Sequence, residues 1–141
     1  MNEWEYQIRI SLDESYAKNI RSFVSNDKLK KLKVLLKEFD ARLVCQFDAF
    51  SEYVDEAEKN GVDSYPLYKW TKATIEDENK KKKYLKSFTV YINDKHVYQK
   101  DKADDLEKKL MELKTEDKNI INIFKYDTNP ENNPQVPDKY K

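Results

Sequence analysis

The chain has 141 residues, enough for one domain with its own core, and its 27 basic residues balance 27 acidic ones. That balance excludes a duplex-DNA binder with an overall basic surface and an acidic mimic of nucleic acid, so any electrostatic function is local. One glycine and one cysteine exclude more: phosphate-cradling loops, dinucleotide turns and the nucleophile elbow each need at least two glycines, and zinc sites of the Cys/His type need several ligands.

Charged and hydrophobic residues each make up 38% of the chain, but two Trp, ten Tyr and six Phe supply large areas for burial, which predicts a folded domain. The start, M-N-E-W-E-Y, has no basic region followed by an apolar run, and no apolar stretch reaches the length of a membrane span. With Cys45 as the lone cysteine, these features predict a cytoplasmic protein with no membrane association.

Residues 4–12 alternate, with Tyr6, Ile8, Ile10 and Leu12 on one face and Gln7, Arg9 and Ser11 on the other, which predicts a strand. Ser11 or Asp13 can cap a helix that carries Tyr16, Ile20, Phe23 and Val24. Ser25-Asn26-Asp27 breaks it, and Leu29, Leu32, Leu35, Leu36 and Phe39 stripe a second helix decorated by Lys28, Lys30, Lys31, Lys33 and Lys37. Period two returns over 41–47. Asp48 or Ser51 then caps a third helix with stripe Phe50, Tyr53, Val54 and Ala57 and an acidic face of Glu52, Asp55, Glu56 and Glu58. Asn60-Gly61 ends it, with Gly61 placed for a left-handed cap.

Aromatic and β-branched residues predict a strand from Leu67 to about residue 75 and a second over 84–92, joined by a mobile charged turn over 76–83. Asn93-Asp94-Lys95 turns into a short strand over 96–99. Asp101 caps a helix with stripe Ala103, Leu106, Leu110 and Leu113. A last strand follows over 119–126, with Ile121 and Ile123 on one face and Ile120, Phe124 and Tyr126 on the other. Residues 1–127 are expected to form one α+β domain, and the proline-containing stretch 128–141 an extended or disordered tail. The predicted fold is a single, mostly antiparallel sheet with helices on one face. It is ferredoxin-like: a β-α-β-β-α-β core with an extra helix and strand inserted.

No catalytic residue, metal site or cofactor is expected. Cys45 lies on an apolar strand face beside Leu43 and Phe47, which makes it a small buried hydrophobe and not half of a pair with His96. The acids at 101, 104 and 105 fit the start of a helix, where capping and the dipole explain them.

The expected function is non-enzymatic contact with another protein, of the inhibitor, immunity, anti-defence or adaptor type. Glu52, Asp55 and Glu56 against Lys30, Lys33 and Lys37 form the segregated patches. Homo-oligomers are compatible with such patches. The alternative is single-stranded nucleic-acid binding, with Lys80, Lys81, Lys82 and Lys83 on phosphates and Tyr68, Trp70 and Tyr84 under bases. The glycine-and-aromatic signature of RNA-recognition sheets finds no match in K-S-F-T-V-Y-I, where Ser87 and Thr89 occupy the positions of its small residues.

Overall fold

The computed structural model describes residues 4–22, 29–129, 131 and 135–140. Four strands, β1 (Tyr6–Leu12), β2 (Ala41–Cys45), β3 (Ser87–Ile92) and β4 (Ile120–Asp127), form one open sheet in the order β2-β3-β1-β4, every pair antiparallel. The helices are α1 (Glu14–Arg21), α2 (Lys30–Glu38), α3 (Gln46–Asn60), α4 (Tyr68–Glu76), α5 (Glu78–Leu85) and α6 (Lys100–Glu116).

Alternation along each strand sorts the sheet into two faces. Ile8, Ile10, Leu12, Phe88, Val90 and Ile92 are buried on one of them, and Tyr16, Leu32, Leu36, Leu106 and Leu110 from α1, α2 and α6 complete that core. Arg9, Thr89, Phe124 and Tyr126 belong to the other face, by the pairing Arg9↔Thr89, Arg9↔Phe124 and Gln7↔Tyr126.

Asp13, not Ser11, caps α1, accepting from Tyr16 N at 2.9 Å. Its other carboxylate oxygen takes the Asn119 amide, and the Tyr16 hydroxyl donates to Asp117 at 2.7 Å, so the start of α1 is tied to the segment that leads into β4. The break expected at Ser25-Asn26-Asp27, with Phe23 and Val24, lies outside the described residues.

The segment between β2 and β3 departs most from expectation. No strand begins at Leu67. Leu67, Trp70, Thr71 and Thr74 recur at helical spacing, and the run is α4. The charged stretch after it is helix α5 and not a mobile turn. The Asp77 carboxylate accepts from Asn79 N (3.0 Å) and Lys80 N (3.1 Å), the lysines are good helix formers, and Lys82 and Lys83 sit at the C-terminal end of the dipole. The inserted element is therefore a trio of helices, α3–α5, and not one helix plus a strand.

These helices also correct the expectation that all helices share one face. Gln46 of α3 reaches Thr89 (3.5 Å), the Ser87 hydroxyl donates to the Lys83 carbonyl of α5 (3.0 Å), and the trio leans over the face opposite the core. Within the trio, Val54 and Ala57 are buried apart from the main core. The Phe50–Tyr84 and Tyr53–Tyr65 rings meet edge to face at 5.1 and 5.5 Å. Tyr68 and Lys72 both donate to Glu58 at 2.8 Å, which ties α4 to α3.

Smaller corrections have local causes. Helix α3 starts at Gln46, directly after β2, with neither Asp48 nor Ser51 as cap; Asp48 instead takes both arms of Arg21 from α1, at 2.8 and 3.1 Å. Helix α6 begins before Asp101, which sits in its first turn beside the dipole. The expected strand over 96–99 reduces to a bridge between Tyr6 and Tyr98. In β4 the pairing jumps from Ser11↔Asn122 to Leu12↔Ile120, leaving Ile121 as the extra residue of a bulge. The bulge changes the phase: Ile120 is buried on the core face while Ile121 is 45% exposed.

Candidate binding surfaces

The trio α3–α5 and the open face of the sheet enclose a cleft of 690 Å³. Its floor is laid by β1 and β4, whose side chains meet through the ladder: Arg9 lies opposite Phe124, and Gln7 opposite Tyr126. The Arg9 guanidinium stacks over the Tyr126 ring, 4.8 Å from its centroid, and its Nε donates to Gln7 Oε1 at 2.6 Å. Gln7 in turn donates to the His96 carbonyl at 3.0 Å, which fixes the floor to the chain leaving the β3 turn. The wall carries Trp70 from α4, Leu67 at its N-cap, and Lys80, Lys83 and Tyr84 from α5.

Of the seven residues the sequence marks for nucleic-acid contact, Trp70, Lys80, Lys83 and Tyr84 line this cleft. Tyr68 does not: its hydroxyl is given to Glu58, beside Lys72. Lys81 places its ammonium over the Phe47 ring at 5.6 Å, and neither Lys81 nor Lys82 belongs to the cleft wall. Helix formation explains the split, because Lys80 and Lys83, three residues apart, share a helix face, while Lys81 and Lys82 turn away from it.

The floor residues Arg9, Phe124 and Tyr126 were not singled out as site residues. They come from opposite ends of the chain and meet only through the register. The signal available was the polar side of β1 (Gln7, Arg9, Ser11) together with two aromatics at alternate positions of the last strand.

No family model, curated protein or solved structure matches the chain.

The two charged helix faces lie elsewhere. Glu52, Asp55 and Glu56 are spaced to share one side of α3, and all three are exposed. Lys30, Lys33 and Lys37 do the same on α2 and flank Val34, which is 51% exposed. Among the described residues none of these six charges enters an ion pair, whereas Lys18, Arg21, Lys31, Arg42, Lys72, Lys100 and Lys125 all do. The two faces do not neutralise each other.

Cys45 and His96 stand at opposite ends of the β2–β3 ladder: Cys45 pairs with Phe88, while His96 follows the turn beyond Ile92 and tilts against Tyr91. The Cys45 thiol donates to the carbonyls of Tyr84 and Leu85, and burial pushes its pKa up, which disfavours thiolate. No group of three or more His, Cys, Asp or Glu residues is placed to hold a metal ion among the described residues, and no helix there is long and apolar enough to cross a membrane.

Proposed function

We propose that this protein is a non-enzymatic binding module that acts by contact with another protein. The observation that carries this reading is the pair of solvent-facing charge patches, outside every ion pair among the described residues, on a chain of zero net charge: Glu52, Asp55 and Glu56 on α3, and Lys30, Lys33 and Lys37 on α2. Separated patches of opposite sign speed and orient encounter with a complementary partner, and they disfavour partners of the wrong pattern. The exposed Val34 inside the lysine face supplies apolar area at the centre of such a contact.

The test is a pull-down from native lysate treated with nuclease, with three baits: wild type, E52K/D55K/E56K and K30E/K33E/K37E. One protein captured stoichiometrically by wild type and lost from at least one reversed bait is the expected result. Its association rate, measured with purified components, should fall steeply with salt. Equal capture by all three baits removes this reading.

A second reading, a single-stranded nucleic-acid binder, is favoured by the convergence of Trp70, Lys80, Lys83 and Tyr84 on one cleft. We read the sheet itself as the ferredoxin-like split arrangement with α3–α5 in place of its hairpin. The order β2-β3-β1-β4 and the all-antiparallel pairing support this. The buried thiol of Cys45, free of any disulfide, supports a cytoplasmic, reducing setting.

A further inference from the structure

We infer that the cleft between α3–α5 and the sheet is a site for a nucleotide unit, with a flat base against Phe124 and Trp70 and a phosphate held among Arg9, Lys80 and Lys83. This rests on the nucleic-acid reading above and goes beyond it: half of the site comes from the sheet and not from the lysine run, and Lys81 and Lys82 have no part in it.

Three observations converge. The first is charge. Arg9, Lys80 and Lys83 line the cleft, and none of them enters an ion pair among the described residues, whereas Arg21, Lys72 and Lys125 do. The carboxylate in the lining, Asp127, accepts from the Asn129 amide. A concave wall focuses the field of its charges, so a neutral protein presents a positive cleft.

The second is preorganisation. Arg9 is held in place by its stack on Tyr126 and its bond to Gln7, and that bond uses Nε alone. The two terminal nitrogens remain for a phosphate, the fork geometry that guanidinium recognises best.

The third is ring surface. Phe124 is 43% exposed at a mid-strand position, tilted 6.0 Å from Tyr126, and half-buried Trp70 lines the same cleft. Exposed rings beside unpaired cations suit a base with its phosphate. Bases in a duplex are stacked on one another and offer no free face to these rings, so the ligand is single-stranded or a free nucleotide. The volume of 690 Å³ is that of a small-ligand cleft.

The experiment is fluorescence anisotropy of a labelled short oligothymidylate titrated with the full chain at low and moderate salt. Competitors are thymidine monophosphate, the same strand as a duplex, and polyglutamate. The variants are Phe124→Ala, Lys80→Ala/Lys83→Ala and, as a charge-matched control on α6, Lys108→Ala/Lys109→Ala. All these side chains are at the surface, and thermal melts verify that each variant is folded.

Binding is expected to weaken about tenfold or more in each cleft variant, to stay within about twofold in the α6 control, and to fall with salt. The duplex should not compete. Competition by the monophosphate assigns the site to free nucleotides, and its failure assigns it to strands; both agree with the inference. Binding that survives both cleft variants overturns this site while leaving the nucleic-acid reading standing. No binding at low salt overturns both. Displacement by polyglutamate as effective as by nucleotide makes the cleft an acidic-peptide site and overturns the inference.

Discussion

Tyr98 inserts its hydroxyl between two strands. It accepts from Ile8 N at 2.8 Å and donates to the Val90 carbonyl at 3.1 Å, doing at the end of the β1–β3 ladder what a direct backbone bond does elsewhere. Burial pushes its pKa up to about 12, above the value of about 10 for an unfolded tyrosine. The folded state therefore holds the proton more tightly than the unfolded chain. Stability from this group is complete below pH of about 10 and is lost as pH rises towards 12. Tyr16, raised mainly by burial and then by its bond to Asp117, adds a loss of the same sign. Urea midpoints should fall across this alkaline window, and less so in Tyr98→Phe. At neutral pH that variant should lose about 1–3 kcal/mol, because Ile8 N–H and Val90 C=O are left buried without a partner. Asp40 carries the opposite kind of defect. It follows α2 in the left-handed region, with φ of 50°, where glycine carries no Cβ penalty. Asp40→Gly should raise stability by about 0.5–1 kcal/mol in a thermal melt.

At the scale of elements, α5 depends on its cap. It is eight residues long, has no buried residue and carries four adjacent lysines, so the Asp77 carboxylate on Asn79 and Lys80 is a large share of what holds its first turn. Asp77→Ala should cost about 1 kcal/mol and reduce helical circular dichroism. It should also weaken any ligand that depends on Lys80 and Lys83, although Asp77 lies outside the cleft. This helix also marks the limit of what the sequence discloses. The cap motif D-E-N-K was present, but the aromatic and β-branched run of α4 before it, W-T-K-A-T-I, has strand composition, and tertiary packing onto α3 overrides that preference. The strands β1, β2 and β3 and the stripes of α2 and α6 were legible because one face of each is uniformly apolar. The β4 phase was not, since a bulge at Ile121 changes it without any local signal such as glycine. The cleft was half legible for the same reason. Its wall is contiguous in sequence, while its floor exists only once Arg9 meets Phe124.

At the scale of the molecule, the arrangement separates the core from the surfaces proposed for binding. The core lies under one face of the sheet, sealed by α1, α2 and α6, and its buried side chains are almost entirely apolar. The other face, the inserted trio and the two charged helix surfaces carry the unpaired cations, the exposed rings and the acidic patch. Changes there should be tolerated by the fold and felt in binding, which is what allows surface variants to test function. The strand order has a further consequence, for timing. Strands β1 and β2 emerge first from the ribosome but do not touch each other; β2 pairs only with β3, and β1 only with β3 and β4. No ladder can form until the residues of β3 have been made, and β1, the strand with Ile8, Ile10 and Leu12, gains its second neighbour last of all. The sheet of this protein is assembled late in synthesis, from a nascent chain whose first strand has waited longest for cover.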